Sequence, residues 1–525
     1  KRRRDSQLTE FHSRESHFGN RAKFPFETSV KFRLDCLERF RMSWLMIETV
    51  ALIATVFVLL YYYSKIKLSY WKKYGVKGPK PLPFLGGFKD VLLGKESTTD
   101  YFHKVYNEFK DEQMIGVYGG HEPLLILKDL DLIKDVLIKD FSKFAQRTHR
   151  SIREIEPLSE HMFRLDAERW RPLRVKLSPF FSSGKLKEMF SLIVDCANTF
   201  DNYLEKLAEK GEPVEFQETA AKFTTDMIAA CAFSVQSNAL TDENSQFRRM
   251  GKRALDTNLE QFLTDRLREY PFLFKIFGRL FTDHEVTNFF ESSIKEAMDY
   301  RIQNNINVKD ADNLFLAAQA QLFFNAGFFN SSLTISNALY ELAWKPEIQE
   351  KTREEIQTVL KKYDGKITYD CLTEMKYLAS LMLETLRKYP ILQWLSRTPM
   401  EPYTFSGTKV TIPKDQQVFI PIYSIQRDPE IFPNPEVFDP DRFSEENIKT
   451  RHSMSHLPFG DGPRHCSGIR LAKVQLKVAM VTILSKYKVE VCEKTRKVYK
   501  TDKRPLFLLQ PADGIYLKLT KLASA

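Results

Sequence analysis

Residues 459–468 read Phe459-Gly-Asp-Gly-Pro-Arg-His-Cys466-Ser-Gly468 and carry the strongest chemical signal in the chain. Three glycines in this stretch permit a tight loop and close approach of backbone to a flat partner. Cys466 stands at the end of the loop, just before an apolar, helix-patterned run over residues 469–484. A thiol at a helix N-terminus, among backbone N–H donors and beside Arg464, is biased toward thiolate. Thiolate is a soft metal ligand, and as an axial ligand to iron it pushes electron density to the metal and favours O–O cleavage. A lone cysteine is most often an inert small hydrophobe. The surrounding decapeptide argues against that here.

Other pairs have suggestive spacing. Glu384 and Arg387 lie three residues apart on a helical pattern, so both charges share one face. Trp170 and Arg174 lie one helical turn apart. Either pair alone is ordinary, since most such ion pairs are solvated and of little energetic weight.

Together and in this order the motifs resemble those of the cytochrome P-450 family, over roughly residues 75–520. The pattern Phe-x-x-Gly-x-Arg-x-Cys-x-Gly is matched at Phe459, Gly462, Arg464, Cys466 and Gly468, and Glu384-Thr-Leu-Arg387 matches the family's ExxR pair. The resemblance implies haem b (iron protoporphyrin IX) with Cys466 as the metal ligand. It implies that Phe459 shields the sulfur, and that Arg464, Trp170, Arg174 and Arg397 meet the haem propionates. It makes Glu384, Arg387 and Arg442 a buried network behind the haem, and is nearest to insect-type microsomal enzymes that handle lipophilic compounds.

One stretch departs from the family pattern. Where the family carries an acid followed by threonine, this chain has Phe329 and Asn330. That pair relays protons to bound dioxygen, which requires an ionisable group and a hydroxyl within reach. Phe329 transfers no proton; Asn330 orients a water but has no useful pKa; Ser331 and Ser332 offer hydroxyls at another helical phase. Asn330 and Ser331 are therefore the catalytic candidates on this helix beside Cys466, and Gly327 fits the family's oxygen-admitting kink. The connection over residues 300–314 is also shorter than in most relatives. Three readings follow: a monooxygenase inserting one oxygen atom from O2 into a lipophilic molecule, an isomerase or dehydratase of lipid hydroperoxides, and a non-catalytic haem-binding relative. The first is preferred because the remaining motifs are intact.

The elements that must position these residues are mostly helical. Apolar residues recur at helical spacing over residues 183–204, 216–233, 317–344, 346–361 and 373–389. Strand-like runs are short: residues 114–118 with 124–127, residues 410–412 with 418–421, and residues 506–509 with 515–519, each pair flanking a turn. The expected architecture is mostly α with small antiparallel β-sheets (α+β), one large haem domain over residues 84–525. Ahead of it, residues 43–63 read SWLMIETVALIATVFVLLYYY, long and apolar enough to cross a bilayer. We expect an uncleaved signal anchor over residues 42–64, a basic, proline-rich hinge over 65–83, and an upstream basic extension, residues 1–41, that the mature protein lacks. Lys65, Lys67, Lys72 and Lys73 follow the span and place the body on the cytoplasmic face, here of the endoplasmic reticulum membrane.

Composition supports this reading. The 525 residues are 43% hydrophobic with 41 phenylalanines, enough for a large core. The net charge of +11 lies disproportionately in residues 1–41 and forms no basic stripe with interleaved aromatics, which argues against a nucleic-acid partner. Six cysteines without framework spacing fit a reducing compartment. No GxGxxG fingerprint occurs in a strand–turn–helix setting, so electrons come from outside. The resemblance implies NADPH through NADPH–cytochrome P450 reductase, with cytochrome b5 as a further partner. Lys473, Lys477, Arg174 and Lys176 are candidates for its docking face. The resemblance also places residues 147–166 over the substrate pocket, lined by residues 323–329 and 391–395. Residues 270–281, YPFLFKIFGRLF, suit either contact with membrane lipid or core packing.

Overall fold

A computed structural model describes residues 26–148, 152–255, 267–268, 271–303, 312–503 and 508–523. The chain separates into two compact units, Lys1–Lys65 and Ile66–Ala525. The first is dominated by the helix Phe26–Lys67, which contains neither glycine nor proline. Its Arg39–Lys67 part is long and apolar enough to span a membrane. Several of its polar side chains bond within the helix. Trp44 Nε1 donates to Glu48 Oε1 at 2.7 Å, and the Thr49 and Thr55 hydroxyls donate to carbonyls four residues back. That self-sufficiency is what an apolar surrounding demands of a polar group. The helix passes through residue 42 without a break, so the expected start of the anchor is not marked in the backbone.

The second unit begins earlier than the expected boundary at residue 84. Leu68, Trp71 and Val76 are buried with Tyr118, Leu125 and Ile420. Trp71 Nε1 donates to Val117 O, and Gly116 N donates to Lys77 O. A Cβ at Gly78 would lie 1.9 Å from Gly116 O, so this crossing of two backbones requires glycine. Residues 66–78 are thus docked onto the body rather than forming a free spacer.

The helix Asn313–Trp344 runs through the middle of this unit and is buried along most of its length. Around it pack Phe216–Ile228, His284–Gln303, Pro346–Lys362, Lys376–Lys388 and Ile469–Lys486. The pattern over residues 183–204 is divided at Met189 into Ser183–Glu188 and Phe190–Lys210. The pattern over 216–233 closes in a π-turn, Ala229–Phe233, ahead of Ser234 at φ +55°.

The sheets are small but not all antiparallel. Met114–Gly119 and Glu122–Leu127 form the expected hairpin, and Glu122–Leu127 then pairs in parallel with Gln417–Ile420, whose other neighbour is Leu395–Arg397. The expected hairpin between residues 410–412 and 418–421 does not form. Thr411–Ile412 pairs with Tyr403–Thr404 across the nearer turn at Gly407, while Val418 and Ile420 are drawn into the core beside Leu125. Burial of alternate apolar residues outweighs sequence proximity there. Tyr516–Lys521 likewise pairs with Val214–Glu215 and Tyr487–Glu490. Its expected partner, residues 506–509, lies partly outside the described residues, with Leu508 bridging Leu392.

Candidate active site

The cysteine loop closes on itself. Gly460 and Gly462 adopt φ of +66° and +71°, and a Cβ at Gly462 would fall 1.9 Å from Leu137 O. Cys466 N donates to Phe459 O at 2.9 Å, and His465 N to Gly462 O at 3.0 Å. Gly468 caps the helix Ile469–Lys486, and a Cβ there would meet nothing within 4 Å. Cys466 is exposed, yet it precedes one of the most buried helices in the body. The surrounding chain nevertheless crowds it, so its sulfur faces a recess rather than bulk water. Desolvation by the surrounding chain holds the thiol above its ordinary pKa, against the Gly468 N–H, Arg174 and Arg147. The helix-terminus N–H works toward the expected thiolate, and coordination of a metal would remove the proton outright.

Arg464 is turned elsewhere. Its guanidinium lies 4.2 Å from the Trp170 ring centroid, Nη2 donates to Leu165 O at 3.1 Å, and Nε and Nη1 are buried without partners. Arg397 is 1% exposed; Nη1 donates to Ser396 O, and Nε has no partner. Arg147 joins them, donating to Phe163 O and Arg464 O. Burial pushes Arg397 down to about 10 and Arg464 to about 9, and holds Arg147 well below its ordinary value, with Arg397 and Arg464 adding repulsion. None of these three makes an ion pair among the described residues. A buried cluster of cations is costly unless an anion joins it. Arg147 escaped the sequence reading because a single arginine in a loop carries no spacing signal.

Arg174 lies beside the cysteine. Its Nη1 donates to Ser467 Oγ and its Nη2 lies 3.3 Å from His465 Nε2, so in this structure it grips both neighbours of Cys466. A cavity of about 310 Å³ lined by Arg174, Ser467 and Arg470 opens beside it.

Behind the loop, Glu384 and Arg387 are fully buried. Arg387 Nε and Nη2 donate to the two carboxylate oxygens at 2.7 and 2.9 Å, Nη1 to Gln426 O, and Nη2 also to Pro435 O. Arg442 Nε stands 3.6 Å from Glu384 Oε1, and Asp439 N donates to the same oxygen. Desolvation raises the Glu384 pKa, opposed first by Arg387. Gln426, missed in the sequence, ties this network to the cysteine loop: its Nε2 donates to Leu386 O and Arg387 O, and its Oε1 accepts from Leu457 N.

The helix Asn313–Trp344 supplies the facing wall. Ala326 is exposed although the helix is central, and Asn330 is half-buried one turn on. Ser331 is turned away: its hydroxyl donates to Gln475 Oε1 at 2.9 Å, so this relay candidate already serves a helix–helix contact. Ser332 Oγ donates to Phe329 O. Phe329 joins a chain of rings that includes Phe324 and Phe328. A Cβ at Gly327 would come 2.6 Å from Ile228 Cδ1, so this glycine admits the helix Phe216–Ile228. The shortened connection over 300–314 lies largely outside the described residues.

Two docking candidates separate. Lys473 is exposed, whereas Lys477 turns inward and donates to Leu372 O at 2.5 Å and Met375 O at 3.1 Å, with burial pushing its pKa down to about 8. Lys477 is therefore removed from the docking face. In the Pro271–Phe277 helix and the turn after it, Phe272 (75%), Ile276 (54%) and Leu280 (77%) are exposed, while Phe274 is buried; Tyr270 lies outside the described residues.

An accessible cysteine on a glycine loop, facing a cleft with partnerless buried arginine nitrogens, fits a flat metal macrocycle carrying two carboxylates. The arrangement defines a haem-thiolate protein. The family model for Cytochrome P450 matches residues 76–519, and the chain belongs to that family. It is 37% identical over 515 residues to "Probable cytochrome P450 6a14" of Drosophila melanogaster, covering 91% of this chain and 100% of that one. It is 37% identical over 510 residues to "Cytochrome P450 6B1" of Papilio polyxenes, with the same coverage. It is 35% identical over 486 residues to "Cytochrome P450 6k1" of Blattella germanica, covering 85% and 92%. The chain is therefore an insect-type haem-thiolate monooxygenase, whose family implies a lipophilic substrate and external redox partners.

Proposed function

We propose that the chain is a membrane-anchored monooxygenase that oxidises a lipophilic small molecule with electrons from NADPH, delivered by NADPH–cytochrome P450 reductase with cytochrome b5 as a further donor. The observation that carries this reading is Cys466 opening into a cleft beside buried, unpaired arginine nitrogens. In it, Cys466 would ligate the haem iron, Phe459 would shield the sulfur, and Arg397, Arg464 and Arg147 would receive the propionates, with Trp170 packed against Arg464. Arg174 steadies the cysteine loop through His465 and Ser467. Glu384, Arg387 and Arg442 fix the scaffold behind it. The haem supplies the activation of dioxygen, and its thiolate ligand favours O–O cleavage.

Proton delivery is the weak part of the design. Residues 326–334 hold no carboxylate, imidazole or amine, and Ser331 is already bonded. Protons must then travel through water ordered by Asn330 and neighbouring hydroxyls. A positioned acid contributes about 10²–10⁴-fold in rate, so slow, poorly coupled turnover is expected.

The apolar helix Arg39–Lys67 anchors the chain in the endoplasmic reticulum membrane, and the lysines after it hold the body on the cytoplasmic side. The exposed Phe272, Ile276 and Leu280, with Lys275 and Arg279 beside them, suit shallow contact with the bilayer. Lys473 and Lys176 present charge to an acidic reductase.

Reconstitution in lipid with the reductase tests the proposal. We expect a Soret band near ~450 nm in the reduced, carbon-monoxide-bound state, the mark of thiolate ligation, and NADPH-dependent hydroxylation of apolar probes. Turnover of a lipid hydroperoxide without reductase, and no NADPH-dependent product, would overturn it in favour of an isomerase or dehydratase.

A further inference from the structure

The helix Asn313–Trp344 turns most of its side chains toward protein, which makes its open stripe legible. At one end, Leu322 and Phe323 pack with Trp170, the ring that lies under Arg464. About three turns later, Leu333 shares a small cluster with Ile391, Leu386 and Phe459. Arg464 and Phe459 both belong to the cysteine loop, so the residues between 323 and 333 bridge the opening between helix and loop. Within that interval Phe324 and Phe328 are buried in the ring chain, Gly327 abuts Ile228, Phe329 packs against the core, and Ser331 bonds Gln475. Ser332 bonds Phe329 O, which leaves Asn325, whose Oδ1 is buried without a partner, and Ala326 and Asn330, which are four residues apart and hence one above the other on a different face from Asn325. Ala326 is exposed and Asn330 half-buried.

The Asn330 backbone carbonyl is taken by Thr334 Oγ1 at 2.9 Å. Its carboxamide makes no hydrogen bond among the described residues. It carries two donors and an acceptor, cannot ionise, and stands in a mostly apolar stretch. One polar group among apolar walls is the usual device by which a pocket fixes a ligand's orientation.

We propose that Asn330 is the polar anchor of the substrate pocket, and that the preferred substrates are lipophilic molecules bearing one uncharged oxygen, such as a carbonyl, ether or hydroxyl. The inference rests on the monooxygenase reading for the identity of the pocket. It gives Asn330 substrate positioning in addition to the ordering of water. A neutral amide offers no countercharge, so carboxylates and ammonium compounds are discriminated against. The oxygen held at Asn330 fixes which carbon faces the reaction centre, so the anchor governs regiochemistry as well as affinity.

The test uses the full-length, haem-loaded ferric protein and reads binding from the Soret shift, with fluorene and 9-fluorenone as probes of one skeleton with and without a carbonyl. Wild type should prefer fluorenone, and N330L should lose about fivefold of that preference, the worth of one neutral hydrogen bond, with fluorene affinity held. N330T, which keeps a hydroxyl donor, should retain part of it. A merely structural defect weakens both probes together and leaves their ratio unchanged. An unchanged ratio in both variants, or no Soret shift with either probe in wild type, overturns the proposal. Because no reductase or turnover is involved, failure of the monooxygenase reading appears separately: as a missing band near ~450 nm, or as an intact probe preference in a protein that makes no product.

Discussion

The two walls of the cleft are built on opposite principles. Behind the cysteine loop, charge is enclosed and answered: every nitrogen of Arg387 donates to Glu384 or to a backbone carbonyl, and Gln426 ties that network to the loop. Across the cleft, the helix Asn313–Trp344 offers Ala326 and Asn330 to open space and leaves the position of the family's acid to Phe329. The first wall has one arrangement and a high cost for any change. The second tolerates substitution because little bonds to its open face. Holding the cofactor is thus specified by a closed network, while the reaction's selectivity and proton supply are left to a few unbonded positions.

The largest effect should come from the loop. Cys466→Ser should abolish both the ~450 nm carbon-monoxide band and NADPH-dependent product, since a neutral hydroxyl replaces the thiolate; a variant of unchanged colour and rate would break the comparison at its root. Next is the network behind it. Glu384→Ala strands a buried guanidinium and should cost about 3–5 kcal/mol, read as a lowered denaturation midpoint and loss of haem-loaded protein. The facing wall should answer in the opposite sense. Phe329→Glu with Asn330→Thr should give up some stability, because Phe329 packs against the core, yet raise product formed per NADPH consumed, by up to about 10²-fold if proton supply limits the rate. Equal coupling in wild type and double variant would show that water alone delivers the proton.

How much of this was legible in advance follows the same division. The cysteine loop could be read because its demands are local: glycines at positive φ, then a helix start. The long helices could be read from their spacing, and Glu384 with Arg387 from three residues of separation. What escaped depends on partners distant in sequence. Gln417–Ile420 finds its neighbour some 290 residues earlier, at Glu122–Leu127. Arg147 acquires meaning only beside Arg397 and Arg464. Arg174 is drawn to His465 and Ser467, and Lys477 to the carbonyl end of Tyr369–Glu374, neither of which helical phase alone reveals.

The smallest effect tests how far the closed network sets the protein's acid limit. His456 packs at 4.6 Å, ring to ring, against Phe443, which adjoins Arg442. Burial, and then the charge of Arg387, depress its pKa from 6.5 to about 3. The unfolded chain therefore takes up this proton first as pH falls. Stability from this group is full above about pH 6.5 and is lost progressively down toward pH 3. His456→Phe removes the titration while keeping a ring beside Phe443, though it forfeits the bond to the Leu383 backbone. Its unfolding free energy should run below wild type by a constant margin at neutral pH, and the gap should narrow as pH falls from 6 to 4, roughly the window between the two pKa values. Parallel curves through that window would mean that His456 is already protonated in the fold, and that the network tolerates a second cation beside Arg387.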